Sequence, residues 1–266
     1  MYAMPMIISI LVPSFASPKI VSYLAPMLDY FKFEAVEEDS EAIEKDMAKG
    51  KNYIIAIQPH GVISYGGMCS AVAFDRKYSK IKTAVASVVL KIPVLKHVMG
   101  IFNLTDASAS NLKKILQKNG EEGSIVIYVG GMAELFYCSR EIEKLYLSKR
   151  KGFIKLALRS GVDIIPIYMF GNTSVLSVLT HGILADISRK LKLSATLFWG
   201  KWYLPIPRDD KILYVSGKPI TIPHIPEPTS EDVDKYHAIY VKEVERIFET
   251  YKKRVPLYQN KKLVID

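Results

Sequence analysis

Residues 53–61 read Tyr-Ile-Ile-Ala-Ile-Gln-Pro-His-Gly, an apolar run that ends in a histidine held between a proline and a glycine. The run is typical of a strand that is buried on both faces of a parallel sheet. The functional residues of open α/β folds lie just beyond the carboxyl ends of such strands. His60 is therefore the first candidate for chemistry, because a neutral imidazole can accept a proton near neutral pH.

The rest of the chain alternates predicted strands with predicted helices. Strands are expected at residues 52–58, 83–89, 124–129, 162–168 and 211–216. Helices are expected at residues 34–49, 67–77, 108–118 and 150–160, and from Thr229 or Ser230 onward. The last of these carries one apolar stripe over about six or seven turns at 3.6 residues each. This alternation predicts an α/β fold with a mostly parallel central sheet flanked by helices, in which residues 34–266 form a single domain.

The first 33 residues are expected to form an apolar segment that associates with a membrane. No charged side chain precedes Lys19, but Pro5, Pro13 and Pro18 interrupt the apolar run. A helix that spans a bilayer needs about 20 apolar residues, so a segment that lies in or dips into one leaflet fits better. The alternative is an apolar arm packed on the domain.

A second stretch, residues 170–206, is apolar with few charges and contains Phe198, Trp199, Trp202 and Tyr203. Tryptophan and tyrosine favour the interface between lipid and water, since their rings have an apolar body and a polar tip. We therefore expect this stretch to contact a membrane. The alternative is a core helix followed by an aromatic loop.

Composition narrows the class of partner. The 266 residues carry a formal net charge of +9, which favours anionic partners such as nucleic acid, a lipid surface or a phosphorylated cofactor. The basic residues form no stripe interleaved with aromatics, so nucleic acid is not expected. With only Cys69 and Cys138, the chain is expected to have neither a disulfide framework nor a metal site. The phosphate-binding loops, the serine nucleophile elbow and the zinc motifs are also missing.

Three further motifs follow His60 in order. Residues 129–134 read Val-Gly-Gly-Met-Ala-Glu, residues 150–153 read Arg-Lys-Gly-Phe, and residues 165–172 read Ile-Pro-Ile-Tyr-Met-Phe-Gly-Asn. Together with Gly-Lys-Pro-Ile at residues 217–220, they resemble in register the blocks of the type 2 diacylglycerol acyltransferase family, a branch of the glycerolipid acyltransferase superfamily. The resemblance runs from about residue 50 to residue 255.

The chain departs from the family pattern at two positions next to His60. Gln58 stands where animal and fungal members have the first histidine of His-Pro-His-Gly, which points to His60 as the catalytic histidine. Tyr65 stands where many members of the superfamily have the aspartate of a His-x-x-x-x-Asp pair. An acidic partner for His60 must therefore come from elsewhere in the chain.

The resemblance implies transfer of a fatty acyl group from acyl-CoA to the free hydroxyl of diacylglycerol, which forms triacylglycerol directly in a ternary complex. His60 would take the proton of the hydroxyl. Glu134 would orient the imidazole and stabilise the imidazolium, as the acidic member of a triad does, although a carboxylate at a helix N-terminus is the alternative. Backbone N–H groups near Gly61 or near Gly130 and Gly131 would stabilise the oxyanion.

Arg150 and Lys151 precede a predicted helix and would hold the phosphates of CoA, with a solvated basic cluster as the alternative. Acyl-CoA is a substrate in this scheme, and no cofactor is expected. The expected partners are acyl-CoA, diacylglycerol and membrane lipids, and a homo-oligomer is left open. The expected location is the endoplasmic reticulum membrane with the site facing the cytosol, or the lipid droplet.

Three alternative functions stay open at this point. The same chemistry on monoacylglycerol, a long-chain alcohol or a lysophospholipid would need only a different acceptor pocket. A non-catalytic lipid-binding or droplet-coating protein is compatible with Gln58 and Tyr65. A hydrolase would use the same histidine, His60, to activate water.

Overall fold

A computed structural model of the chain describes residue 9 and residues 12–75, 77–179 and 197–266. The strands are β1 (Glu34–Glu37), β2 (Tyr53–Gln58), β3 (Lys82–Val85), β4 (Leu104–Asp106), β5 (Ile125–Tyr128), β6 (Glu143–Leu145), β7 (Asp163–Phe170), β8 (Ser177–Val178), β9 (Phe198–Trp199), β10 (Leu213–Ser216) and β11 (Leu263–Ile265). The α-helices are α1 (Pro18–Ser22), α2 (Pro26–Tyr30), α3 (Ser40–Ala48), α4 (Tyr65–Ala73), α5 (Leu95–Gly100), α6 (Ala109–Leu116), α7 (Gly152–Ser160) and α8 (Ser230–Tyr251). Short 3₁₀ turns occupy Gly120–Gly123, Gly131–Tyr137, Lys201–Tyr203, Lys252–Arg254 and Pro256–Tyr258.

A seven-stranded sheet with the order β1-β10-β7-β2-β5-β3-β4 forms the centre of the fold. Every neighbouring pair is parallel except β7 with β10, so the predicted mostly parallel sheet is confirmed. Ile57 of β2 pairs with Tyr128 of β5 on one side and with Ile167 of β7 on the other. The carboxyl ends of these three strands consequently lie next to one another in the middle of the sheet.

Helices cover both faces of the sheet, and β2 shows why. Its side chains alternate between the two faces, as the period of a strand requires. Ile54 and Ala56 pack in one cluster with α6, α7 and α8, whereas Ile55 and Ile57 pack in a second cluster with α3. All six residues of β2 are buried, which accounts for its unbroken apolar sequence.

The helix predicted for residues 34–49 is wrong in its first part. Residues Glu34–Glu37 form the edge strand β1, which pairs in parallel with β10, and the helix starts only at Ser40. An exposed edge strand and a surface helix both leave charged side chains in water, so charge alone did not separate them. The other predicted elements are present, with ends that differ by a few residues.

The N-terminal segment packs on the domain in its described part. Val21 and Phe31 are buried, and Phe31 packs in a small apolar cluster with α4 and with Ile212, the residue before β10. The Ser17 backbone N–H donates to Ile101 O at 3.1 Å, whereas Phe15 and Tyr23 are exposed. None of the helices in the described ranges is both long and apolar enough to cross a bilayer.

The second stretch expected at a membrane, residues 170–206, is only partly described, because residues 180–196 lie outside the described ranges. In the described part, β8 pairs with β9, and a turn then presents Trp202 and Tyr203 with 77% and 87% of their surfaces exposed. Both residues have positive φ angles, of 54° and 59°. A bulky residue rarely adopts this left-handed conformation, because it is sterically unfavourable.

Candidate active site

His60 and two of the three motifs that follow it, residues 129–134 and 165–172, meet at the carboxyl edge of the sheet. His60 follows β2 by two residues, Glu134 lies in the turn after β5, and Asn172 follows β7 by two residues. Since β5 and β7 flank β2 in parallel, their ends come together although the motifs are far apart in the chain. Convergence at this edge is the geometry that an α/β fold gives to its functional residues.

The geometry fixes the tautomer of the His60 ring. Its Nδ1 lies 2.8 Å from the carbonyl oxygen of Gly61, which can only accept a hydrogen bond. Nδ1 therefore carries the proton of the neutral ring, and the lone pair is on Nε2. Nε2 has no hydrogen-bond partner among the described residues. Burial lowers the pKa of His60, against the opposing effect of the bond to Gly61, so the ring is neutral near neutral pH.

The turn that holds His60 is built around Asn172, which the sequence analysis did not single out. The Asn172 amide nitrogen donates to the carbonyls of Pro59 at 2.9 Å and His60 at 2.7 Å, and its amide oxygen accepts from the N–H of Gly66 at 3.0 Å. Gly61 has a φ of 73°, and a Cβ there would lie 2.5 Å from Asn172 O. The available signal was a polar residue two positions after a buried strand, the same spacing that His60 has after β2.

Glu134 contacts the backbone of His60 and not its ring. Its carboxylate accepts from His60 N at 2.8 Å and from Tyr146 N at 3.3 Å, and the side chain is only 1% exposed. Burial raises the pKa of Glu134 to about 8, although both N–H groups favour the charged form. The predicted contact between Glu134 and the imidazole is therefore wrong. The side chain of Glu134 folds back over its own turn and bonds the backbone N–H of His60, which fixes the chain at the end of β2.

The two glycines before Glu134 have different roles. A Cβ on Gly130 would overlap the Glu134 carboxyl group, so only glycine lets that side chain fold back over the turn. Gly131 has a φ of 57°, which favours glycine, and a Cβ there would meet nothing within 4 Å. Among the described residues, the N–H groups of Gly61, Gly130 and Gly131 find no acceptor.

The two predicted CoA-binding cations differ in their surroundings. The Arg150 guanidinium lies 4.9 Å from the centre of the Tyr146 ring, beside the residue whose N–H bonds Glu134. Lys151 Nζ instead forms an ion pair with Asp234 Oδ1 of α8 at 2.7 Å. Arg150 is thus the cation held close to the turn, whereas Lys151 already has an anionic partner.

The residues at the two departures from the family pattern take structural positions. Gln58 is buried, and its amide oxygen accepts a short hydrogen bond from the Tyr240 hydroxyl, which ties β2 to α8. The Tyr65 ring packs against Phe31 at a centroid distance of 5.1 Å. Neither side chain replaces an acidic partner for the His60 ring.

Comparison with known proteins agrees with the resemblance in the sequence. A sequence model of the family described as "Diacylglycerol acyltransferase" matches residues 19–266. Diacylglycerol O-acyltransferase 2 of Danio rerio is 30% identical over 259 residues, which cover 90% of this chain and 70% of that protein. The Homo sapiens protein of the same name is 29% identical over 258 residues, which cover 90% and 65%. The Dictyostelium discoideum protein is 32% identical over 242 residues, which cover 84% and 71%.

Among solved structures, the 1-acyl-sn-glycerophosphate acyltransferase PlsC of Thermotoga maritima aligns with a TM-score of 0.46 and 14% sequence identity, over 91% of this chain and 86% of that one. The family match covers nearly the whole chain and includes all the motifs that meet around His60. The chain therefore belongs to the diacylglycerol acyltransferase family.

Proposed function

We propose that this protein transfers a fatty acyl group from acyl-CoA to the free hydroxyl of diacylglycerol, with His60 as the general base. One observation carries the mechanism: the Nδ1–H of His60 is committed to the Gly61 carbonyl, which leaves the Nε2 lone pair as the base. The names of the relatives supply the substrate class. The lowered pKa of His60 keeps that base neutral at physiological pH.

The reaction balances without an acyl-enzyme. The diacylglycerol hydroxyl gives its proton to His60 Nε2 as its oxygen attacks the thioester carbonyl. The resulting tetrahedral oxyanion collapses, the carbon–sulfur bond breaks, and the CoA thiolate takes the proton back from the imidazolium. Such general-base catalysis typically accelerates a reaction by about 10²–10⁴-fold.

The surrounding groups suit this direct transfer. The N–H groups of Gly61, Gly130 and Gly131, which have no acceptor in the described part of the chain, can donate to the oxyanion, and such donors are often the largest contribution to catalysis. Cys69 and Cys138 are both buried, and burial raises the pKa of both thiols, so neither is a reactive nucleophile.

The replacement His60→Asn tests the assignment of the base. Asparagine can still donate to the Gly61 carbonyl from the position of Nδ1, but it has no base at the position of Nε2. We expect triacylglycerol formation from labelled acyl-CoA to fall by at least about a hundredfold while the melting temperature stays close to that of the wild type. His224→Ala is the control, because that ring is exposed and lies 3.1 Å from Arg159 O, away from the site. Near-normal turnover by His60→Asn would overturn the mechanism.

The same assay tests the substrates. With diacylglycerol, monoacylglycerol, a long-chain alcohol, a lysophospholipid or no acceptor, we expect rapid release of CoA only with diacylglycerol. Release without an acceptor would indicate a hydrolase. No release with any acceptor would indicate a lipid-binding protein without catalytic activity.

Arg150 is the proposed contact for the CoA phosphates. Its position beside Tyr146 places a cation next to the turn that holds Glu134. We expect Arg150→Gln to raise the KM for acyl-CoA by about tenfold with little change in kcat, because a charge-assisted hydrogen bond stabilises by about 1.5–3 kcal/mol. Lys151→Gln should raise it less, since Lys151 is paired with Asp234. Equal effects would remove the distinction between the two cations.

We further propose that the protein works on a lipid surface, with the endoplasmic reticulum as the expected membrane. In the described ranges, all exposed large apolar side chains except Ile142, Ile239 and Val264 lie in three segments, 12–30, 88–98 and 197–206. We call them the apolar face. Exposed apolar patches of this kind mark sites of interaction with proteins or membranes.

Contacts join the three segments of the apolar face, although they are far apart in the chain. Lys201 Nζ lies 5.1 Å from the centre of the Tyr30 ring, and Val94 N donates at 2.6 Å to Oγ of Ser9, three residues before the first segment. The segments contain four lysines and one acid, Asp29. A positive and aromatic face of this kind suits anionic lipid headgroups.

Vesicle sedimentation tests the apolar face. The double variant Trp202→Ser/Tyr203→Ser should bind vesicles of phosphatidylcholine and phosphatidylserine at least about tenfold more weakly than the wild type, because two aromatic rings no longer enter the interface. Ile239→Ser on α8 is the control, since Ile239 is exposed but lies outside the three segments. Unchanged binding by the double variant would exclude the 197–206 segment from the contact.

A further inference from the structure

An apolar cavity lies on the α3 and α4 side of the sheet. Its volume is about 140 Å³. Side chains of β2 and β5 form its floor, residues of α4 form one wall, and residues of the N-terminal segment and of the turn after α5 line its outer side. Its lining includes Ile55, Ile57, Gly67, Ala71, Phe74 and Tyr128.

Tyr128 connects this cavity to His60. Its ring lines the cavity, and the ring centroid lies 4.9 Å from that of the imidazole at an interplanar angle of 67°. The imidazole is therefore separated from the cavity by a single aromatic ring, which meets it edge to face.

Two neighbours fix the position of the Tyr128 ring. The Ser64 hydroxyl lies 2.9 Å from the Tyr128 hydroxyl, and Ser64 also caps α4 by accepting from Gly67 N at 3.2 Å. A side chain at position 67 would overlap the Tyr128 hydroxyl, so the absence of a Cβ there lets the ring stand beside α4. The residue between cavity and base is thus held at both its hydroxyl and its flank.

The size of the cavity favours one hydrocarbon chain. An apolar cavity of about 150 Å³ is large enough to bind benzene, so this one has room for a chain segment of roughly six carbons. Diacylglycerol carries two chains, whereas acyl-CoA carries one, attached directly to the thioester carbon that must lie at His60. A chain that passes the Tyr128 ring into the cavity would place that carbon next to the base.

We propose that this cavity receives the fatty chain of acyl-CoA and that Tyr128 is a specificity-determining residue at its entrance. The proposal rests on the proposed function, since it assigns the chain of the acyl donor. It predicts that the donor preference depends on the free volume behind Tyr128, and that the acceptor preference does not.

Filling the cavity tests the proposal. Ala71→Phe places a ring inside it, and Ala73→Phe is the matched control, because Ala73 is exposed on the same helix and does not line the cavity. We expect Ala71→Phe to lower the ratio of kcat/KM for oleoyl-CoA to that for butyryl-CoA by at least tenfold. Each methylene kept out of the cavity should lower it about fourfold, since burial of one CH₂ stabilises by about 0.8 kcal/mol. Ala73→Phe should leave the ratio unchanged.

Variants of Tyr128 test the entrance itself. Tyr128→Phe keeps the ring and should keep the donor ratio of the wild type. Tyr128→Ala removes the ring between the base and the cavity and should change the ratio by at least about tenfold, because an aromatic side chain of this size governs what can pack there. Equal ratios in Tyr128→Ala and the wild type would overturn the assignment of Tyr128.

Two further arms separate this proposal from the proposed function. If Ala71→Phe changes the preference for short-chain over long-chain diacylglycerol and not the preference among donors, the cavity belongs to the acceptor and the proposal is overturned. If the wild type transfers no acyl group at all, the proposed function fails. Calorimetric binding of oleoyl-CoA then tests whether the cavity receives the fatty chain. Weaker binding by Ala71→Phe than by Ala73→Phe would support it, and equal binding would overturn it.

Discussion

The Glu134 carboxylate accepts a hydrogen bond from the backbone N–H of His60 at 2.8 Å, and so holds the residue that carries the proposed base without touching its ring. The same carboxylate accepts from Tyr146 N at 3.3 Å. It therefore joins the end of β2 to the chain just after β6. In a serine-protease triad, by contrast, the acidic group bonds the imidazole itself.

Glu134→Gln separates these two roles. An acid that bonds the imidazole in a triad contributes about 10⁴-fold to kcat. Because Glu134 bonds only the backbone, we expect kcat to fall by about ten- to a hundredfold, and the acid limb of the pH–rate profile to stay where His60 puts it. Steady-state rates from pH 5 to pH 9 check this, and His60→Asn is the reference for complete loss of the base. If Glu134→Gln lost as much activity as His60→Asn, Glu134 would instead act on the imidazole as the acidic member of a triad.

The raised pKa of Glu134 makes the free energy of unfolding depend on pH. Burial raises the pKa of this carboxyl group from its ordinary value of 4.5 to about 8, so the folded state holds its proton more tightly than the unfolded state. Its contribution to stability is then complete below pH 4.5 and is lost as the pH rises towards 8. We therefore expect the wild type to lose a few kcal/mol of unfolding free energy relative to Glu134→Gln over that interval. The scale is set by about 1.4 kcal/mol for each unit of difference in pKa.

Urea unfolding at several pH values measures this difference. Asp163→Asn is the comparison, because that carboxylate pairs with Lys51 at 2.8 Å. A difference between the wild type and Glu134→Gln that does not change with pH would mean that Glu134 ionises normally.

Asn172 should be more important for stability than an exposed asparagine. Asn172→Ala leaves the carbonyls of Pro59 and His60 and the N–H of Gly66 without their side-chain partner. We expect a loss of about 1–3 kcal/mol in unfolding free energy for each buried group left unpaired, together with a lower kcat. Asn111→Ala is the control, since it removes an amide that bonds Thr105 and Asp106 away from the site. Equal losses of kcat in both variants would contradict the positioning role of Asn172.

The buried ion pair between Glu143 and Lys261 should stabilise the segment after Glu134. The two groups lie 3.4 Å apart and are almost fully buried, and Thr173 Oγ1 donates to the same carboxylate at 2.9 Å. Lys261→Met leaves an unpaired buried carboxylate, and we expect a loss of about 3–5 kcal/mol in urea unfolding.

The double variant Glu143→Gln/Lys261→Met should recover part of that stability, because no charge is then left unpaired. Lys118→Met, which removes an exposed pair with Glu122, should have no measurable effect. A double variant less stable than Lys261→Met would contradict the explanation.

Two glycine replacements test whether Gly67 and Gly152 are structural. Gly67→Ala would put a methyl group on the Tyr128 hydroxyl, so we expect lower stability and a displaced ring. Gly152→Ala meets nothing within 4 Å at the first residue of α7, and we expect stability to be kept or slightly raised, because alanine is the better helix former. Thermal unfolding compares the two variants. Stable Gly152→Ala protein with a raised KM for acyl-CoA would place a ligand against that helix end.

That His60 and Glu134 lie at one edge of the sheet was predictable, because each follows an apolar run and parallel strands end at the same edge. The part played by Asn172 was not predicted, although this residue also follows such a run. The edge strand at Glu34–Glu37 was not predictable from local pattern, since its position depends on pairing with β10, which lies far along the chain.

The details of the site depend on contacts that a sequence pattern does not contain. Whether Glu134 bonds the ring or the backbone of His60 is decided by how the turn after Gly130 folds back. Lys151 looked equivalent to Arg150 in the sequence, but its partner, Asp234, belongs to α8 and lies 83 residues later in the chain. The position of Tyr128 at both the cavity and the imidazole likewise follows from the pairing of β2 with β5.

The exposed turn at Lys201–Tyr203 provides an intrinsic fluorescence probe of the proposed membrane contact. Its two tryptophans, Trp199 and Trp202, are both close to that turn, and Trp202 is 77% exposed. Intrinsic tryptophan fluorescence therefore comes from one patch of the surface, so transfer of that patch from water to lipid should shift the emission to shorter wavelength without any added dye. For the same reason, a melting curve recorded by tryptophan emission follows the unfolding of this loop, whereas far-ultraviolet circular dichroism follows the helices and the sheet.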